Sequence, residues 1–305
     1  MDTTVLILLT VISAATPLVF AATGELVSER AGVLNLGVEG MMLAGAVAAF
    51  ATAVSTGNAT LAIIVAALAG ALLALLFGFL TLSLLANQVA TGLALTIFGI
   101  GLSALIGRDY VGIPIPRLPS LAVPGLSDLP MVGRLLFSHD FLVYLSVFMV
   151  AAVAWFLRGT RAGLILRAVG ESHDAAHSIG YRVIRIRYLA VLFGGMMAGL
   201  GGAFLSLSYT PMWVEQMTAG RGWIALALVV FATWRPWRVL LGAYLFGGVT
   251  ILQLHAQDWL ELPSQLYSML PYLATILVLT LISSGAARGR LSAPACLGRP
   301  FHPTA

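Results

Sequence analysis

The chain has 305 residues, of which 60% are hydrophobic and only 9% charged, with a mean hydropathy of +0.99. A soluble domain carries about 25% charged residues to cover its surface, so a soluble globule is excluded. A transmembrane barrel alternates weakly over stretches of about ten residues, whereas apolar runs here approach the roughly 20 residues that a spanning helix needs. The net charge of +4 comes with 16 basic residues, all arginine, a pattern of topology-setting cytoplasmic charge and not of a nucleic-acid surface.

An all-α, polytopic membrane protein of about eight to ten transmembrane helices follows, some of them short or broken. The first apolar segment, 5–22, has no basic residue before it. Its Ala21-Ala22-Thr23-Gly24 end is similar to a signal cleavage site, but without a basic n-region it reads as a mature helix. Next come 41–54, 61–85, 89–106, 141–157 and 188–207. The interrupted pair 223–234 and 239–252 follows, and then 266–282. Segments 41–54 and 223–234 are short for a crossing, and each lengthens only by taking in the polar, glycine-bearing residues before it.

Arginine placement orients the array. The loop 158–187 carries Arg158, Arg161, Arg167, Arg182, Arg185 and Arg187, and is expected in the cytoplasm with Arg235, Arg238 and the arginines of the tail. The loops 108–140 and 253–265 are expected outside, which places the N-terminus outside. The expected division is a permease domain over 1–287 and a flexible cytoplasmic tail over 288–305. The single Cys296 excludes an internal disulfide and has no assigned role.

The stretch from Ser28 to Met42 holds two glutamates, an arginine, an asparagine and three glycines between apolar segments. Charge at membrane depth is costly and marks function, and glycines permit the broken helices from which transporters build solute sites. Gly37-Val38-Glu39-Gly40 opens one short segment, and Gly220-Arg221-Gly222 opens the other, running the opposite way. An inverted repeat and a chance echo among many glycines both account for this. If it is a repeat, Glu39 and Arg221 face each other with opposite charge. The alternative leaves them solvated at opposite interfaces.

Asn35, Glu39, Asn87, Gln88, Thr91, Glu215 and Arg221 are the candidate solute-pathway polar groups, with Trp213 and Trp223 able to stack on a base or sugar ring. Interhelical hydrogen bonding and interfacial tryptophan belts are the competing explanations. His173-Asp174-Ala175-Ala176-His177 has two histidines at i and i+4 but lies in an arginine-rich loop and lacks a third ligand, so no metal site is expected. With no lysine, no Gly-x-x-x-x-Gly-Lys-Ser/Thr phosphate loop exists, and no catalytic constellation is visible. No cofactor is expected on this chain.

In the loop 158–187, Ser172 can cap a short helix that Gly180 ends, and Ala175 and Ala176 give it a smooth face able to enter a partner's groove. An ordinary topology-setting loop also fits. Asp174-Ala175-Ala176-His177-Ser178-Ile179-Gly180 resembles the EAA-x-x-x-G coupling loop of binding-protein-dependent ABC importer permeases, with Asp for Glu and without the closing Leu-Pro. The stretch from Glu29 to Met42 is similar to the best-known motif of the nucleoside and simple-sugar branch, which is related to the branched-chain amino acid permeases. The runs 86–96, 167–171, 220–227 and 269–273 look like its other landmarks, in order over most of the chain.

The resemblance implies one of two membrane subunits of an ATP-driven importer of the bacterial inner membrane, carrying a nucleoside or a sugar such as ribose. It implies a cytoplasmic ATPase gripping Arg167, Gly170, Glu171, Asp174, Ala175, Ala176 and Gly180. It further implies a second permease subunit, as heterodimer or homodimer, a periplasmic or lipid-anchored binding protein, and surrounding lipids. An ion-coupled secondary transporter is the competing class, since it also uses broken helices and needs no ATPase.

Overall fold

The computed structural model describes residues 3–121, 132–256 and 293–302, with isolated residues between 266 and 280. The last apolar segment, most of the loop before it, the 269–273 landmark and the 287/288 boundary fall largely outside these residues. Among the described residues regular structure is helical, and extended chain pairs only in isolated bridges such as Val111 with Trp213 and Ser120 with Asp140.

Helix α1 runs over Thr3–Arg30 and does not stop at residue 22. It continues through Thr23, Glu25, Ser28 and Glu29, all no more than 1% exposed. Their spacing turns them toward other helices and away from lipid, so polarity does not end the helix. After a break at 31–37, α2 spans Val38–Thr56, taking in Glu39 and Gly40 as the short segment required. Helix α3, Ala59–Gly78, ends in a π turn at Phe79–Ser83, and α4 covers Gln88–Gly107. The short α5, Val132–Phe137, precedes α6, Phe141–Gly159. Helices α7, Arg161–Glu171, and α8, His173–Ser178, fill the long loop. Helix α9, Val183–Phe204, ends in a second π turn at Leu205–Tyr209. A second break leads to α10, Arg221–Phe231, and then α11, Pro236–Ala256.

Among the described residues, α1, α2, α3, α4, α6 and α9 are long and apolar enough to cross a membrane. Helix α10, with 11 residues, reaches about half of the roughly 20 that a crossing needs.

Helix α9 is the centre of the bundle, with α1, α2 and α3 around it. Small residues let helix backbones approach where no water is present to drive association. A Cβ on Gly195 would lie 2.3 Å from Ala74 Cβ, and one on Gly199 2.2 Å from the Ala66 carbonyl. Helix α1 lies antiparallel to α9, with Gly24 against Gly194 and the Ser28 hydroxyl donating to the Ala190 carbonyl at 3.3 Å. Its C-terminus reaches α7, where the Arg30 carbonyl would be 2.1 Å from a Cβ on Gly170. Residue 3 is therefore at the end of the bundle opposite α7 and α8, the arrangement that the arginine distribution implies.

Candidate functional site: two broken helices that meet at Glu39

In hydrocarbon every backbone group needs a partner inside the protein, so an interruption survives only where side chains replace the lost helical bonds. At the first break they do. Gln88 Oε1, from the start of α4, accepts from the Leu34 amide at 2.9 Å, and Glu25 Oε1 of α1 accepts from the Asn35 amide at 3.1 Å. Asn35 Oδ1 accepts from the Gly37 amide at 2.9 Å, and the Thr96 hydroxyl donates to the Leu36 carbonyl at 2.9 Å. Arg187 Nε donates to the Ala31 carbonyl at 3.1 Å. Asn35 is fully buried, and so are Glu25 and Gln88 apart from 1% and 5%. Among the described residues Glu25 Oε2 and Gln88 Nε2 find no hydrogen-bond partner.

At the second break one side chain makes three of the contacts. Glu39 Oε1 accepts from the Thr218 hydroxyl at 2.5 Å and the Gly220 amide at 2.8 Å, and Oε2 accepts from the Gly222 amide at 2.5 Å. The N-termini of α2 and α10 thus converge, and a carboxylate sits where the positive ends of two helix dipoles favour negative charge. Gly222 is required there, because a Cβ would come within 2.6 Å of the Glu39 backbone. Arg221 does not pair with Glu39. Its Nη1 donates to the Met217 and Thr218 carbonyls at 3.2 and 3.1 Å, and the guanidinium lies 5.5 Å from the centre of the Tyr209 ring. The two Gly-charge-Gly segments do meet, but through a carboxylate and backbone amides. Neither the ion pair nor the two separate solvated charges is what the structure has.

At the far end of α10, Trp234 Nε1 donates to Glu29 Oε2 at 2.5 Å, and Arg30 donates to the Trp234 carbonyl through Nε and Nη2 at 3.2 and 3.0 Å. Helix α10 is thus tied to the α1–α2 corner at both ends.

The short helices α7 and α8 lie beside that corner. Thr160 caps α7 by accepting from the Gly163 amide at 3.0 Å. Ser172 caps α8 by accepting from the Ala175 amide at 3.3 Å, and Gly180, at φ +92°, ends it. Ala175 and Asp174 are exposed, as is Ile179 at 71%. Ala176 is not: it is 2% exposed and packs with Val169, Val183 and Phe301 of its own chain. The smooth face expected of two alanines therefore belongs to Ala175 alone, since one turn of helix cannot turn both outward. His173 is buried, and Arg187 Nη2 donates to its Nδ1 at 3.0 Å. A guanidinium only donates, so the imidazole is neutral with its proton on Nε2, 3.6 Å from Asp174 Oδ1. Burial first, and the Arg187 charge next, hold this histidine below its ordinary pKa, against the opposing pull of Asp174.

Over residues 7–279 the chain matches the family described as the permease component of branched-chain amino acid transport systems. It belongs to that family. Three relatives carry the likeness over nearly whole chains. The putative glucose ABC transporter permease protein TsgC13 of Haloferax volcanii is 43% identical, covering 95% of each chain. The nucleoside ABC transporter permease protein NupC of Lactococcus lactis is 34% identical over 88% of this chain and 89% of its own. The guanosine ABC transporter permease protein NupQ of Bacillus subtilis is 32% identical over 94% and 93%. The chain is a multi-pass ABC transporter permease.

In this permease the residues expected along a solute path fall into separate groups. Asn35, Gln88 and Glu39 hold the two breaks, and Arg221 braces the second. Asn87 is exposed and caps α4 by accepting from the Ala90 amide at 3.0 Å, with Thr91 half-buried in the first turn. Glu215 and Trp223 are exposed. Trp213 is 1% exposed, packed among Ala46, Val47 and Phe50, with Gly107 directly on its indole, so it cannot offer a face to a solute in this conformation. Among the coupling residues, Gly170 packs on the Arg30 carbonyl, Arg167 is half-buried and Glu171 is exposed.

Sequence reasoning missed Glu25, Trp234 and Arg187. Glu25 and Glu29 at i and i+4 in an apolar helix were a legible signal for one buried polar face. Nothing local marked Trp234 or Arg187, whose contacts with Glu29 and the Ala31 carbonyl span 205 and 156 residues.

Proposed function

We propose that this permease is one of two membrane subunits of an ATP-driven importer in a cell's inner membrane, carrying a nucleoside or a simple sugar into the cytoplasm. A separate ATPase binds the α7–α8 end and hydrolyses the ATP, a second permease subunit completes the pathway, and a binding protein delivers the solute at the opposite end. No cofactor is held by this chain. The observation that carries the reading is the Glu39 junction. Two interrupted helices start face to face there inside the bundle, next to buried Asn35 and Gln88, while the capped helix α8 stands exposed at one end. Relatives named for glucose, guanosine and nucleosides support the solute class. An ion-coupled carrier draws no support from them, since each is named as an ABC transporter permease.

The test is uptake of labelled guanosine, ribose and glucose into vesicles reconstituted with the permease pair, ATPase and binding protein. Uptake of one of these should require ATP and every subunit. Uptake by this chain alone, driven by a proton or sodium gradient, would overturn the reading.

A further inference from the structure

Residues 293–302 fall within the segment expected to be a flexible tail, yet they are held at four points, on α7, α8, α9 and the first break. The Cys296 amide donates to the Gly170 carbonyl at 2.9 Å, and the Gly298 amide donates to the Gly32 carbonyl at 3.2 Å. Arg187 Nη1 donates to the Arg299 carbonyl at 3.1 Å. Phe301, 5% exposed, sets its ring 5.3 Å from the centres of both His173 and His177, and packs on Ala176. Helix α8 has only six residues, too few to bury a side of its own, and Phe301 supplies that side. Arg299, Pro300 and His302, immediately next to the anchored positions, are exposed. So are Asp174, Ala175 and Ile179 on the free side of α8.

The geometry points to residues 299–302 as part of the surface that receives the ATPase subunit, continuous with the exposed side of α8. This rests on the permease reading above and adds to it a second contributing segment. The partner surface suited to this platform has an apolar depression for Ile179 and Ala175, with acidic or carbonyl groups to meet Arg299. Hydrocarbon does not suit it, because the exposed side mixes Asp174 with Arg299. The platform is also wired inward, since the same segment holds the Gly32 carbonyl at the α1–α2 corner.

The chain's single cysteine makes the test clean. The Cys296 thiol donates weakly to the Glu171 carbonyl at 3.4 Å, a hydrogen bond that the serine hydroxyl of Cys296→Ser can also make. In that background three single-thiol variants are made: His302→Cys, Ile179→Cys, and Ser55→Cys as an exposed control in the last turn of α2. Each is purified in detergent with and without the ATPase subunit, so that both ends of the bundle are accessible, and labelling by a maleimide is timed. The thiols at 302 and 179 should both be protected several-fold by the ATPase, and the thiol at 55 should not.

Protection at 179 with unchanged labelling at 302 would overturn the inference and leave the permease reading intact. No protection at 179 although the ATPase co-purifies would remove α8, and this segment with it, from the interface. Failure of any ATPase to associate would sink the permease reading itself. If Cys296→Ser does not assemble, protection of the Arg299, Phe301 and His302 amides from hydrogen exchange on ATPase binding, in the unaltered protein, decides the matter in the same way.

Discussion

The two breaks solve one problem in opposite ways. At 31–37 the interrupted backbone is held by Glu25, Gln88, Asn35, Thr96 and Arg187, drawn from α1, α4 and α9 as well as the break itself. At 210–220 much of the holding falls to Glu39, and the chain there includes exposed Glu215, Gln216 and Ala219. Gln216 and Ala219 take left-handed φ values of 54° and 47°, which L-residues adopt only when the surroundings compel them. The first break is fixed by side chains from several helices, and the second depends chiefly on Glu39. A segment that opens at low free energy is one with few buried contacts, so mobility is expected in the exposed part of the second break, at 214–216 and 219, and not at buried Trp213 or Thr218.

The sharpest way to break this contrast is Glu39→Ala. It strips the acceptor from three donors at once, and each buried donor left unpaired costs about 1–3 kcal/mol. The expected outcome is a loss of more than about 3 kcal/mol, read as a large fall in the melting temperature of the solubilised protein, together with loss of ATP-dependent uptake. Glu39→Gln, which keeps one acceptor oxygen, should fall between this variant and the unaltered protein.

At the first break a single deletion should cost less. Gln88→Leu orphans only the Leu34 amide, so about 1–3 kcal/mol is expected with the α1–α2 corner retained. A collapse as severe as that of Glu39→Ala would show the first break to be no better supported than the second. Arg221→Gln loses two carbonyl contacts and its position over Tyr209, for an expected cost of about 1 kcal/mol. Its signature is faster hydrogen exchange confined to 210–222.

The smallest effect is a pH dependence that should touch the first break and not the second. His173 is neutral and its pKa is lowered, so its contribution is complete above the ordinary value of about 6.5. That contribution is lost as pH falls through the folded value, because the unfolded chain takes up the proton first. Protonation turns Nδ1 into a donor facing Arg187, which also holds the Ala31 carbonyl. Arg187, Arg299, Asp174 and His177 are the charged or titratable groups around the ring. Melting temperature should decline modestly below about pH 6.5, and His173→Gln, which carries no titrating group, should flatten the decline.

How far each part was legible follows from the range of its interactions. The start of α2 before Met41, the Ser172 cap and the Gly180 stop are local, set by residues within a turn, and were readable. The end of α1 was misplaced because hydropathy scores Glu25 and Glu29 as solvent-seeking and is blind to buried partners such as Trp234. The meeting of the two Gly-charge-Gly segments was visible as a pattern, but its chemistry was not. Opposite charges suggested an ion pair, whereas amides freed by glycine at 220 and 222 reach the carboxylate instead. The anchoring of 293–302 had no local sign, because its partners lie 112 or more residues away.

The glycine face of α9 carries one last consequence, a kinematic one. Where Gly195 and Gly199 bring α9 onto α3 with almost no side chain between, the two backbones interlock, and a slide of even one residue would drive Cβ atoms into carbonyls. Close-packed surfaces of this kind are bistable at best and do not deform smoothly. Helices α1, α2, α3 and α9 therefore form a chassis that moves as one piece, with α10 fastened to it through Glu39, Glu29 and Arg30, and relative motion is least opposed in the exposed part of the second break, at 214–216 and 219. A spacer of fixed length between α3 and α9 should leave turnover unaffected, while one that pins 210–220 should stop it.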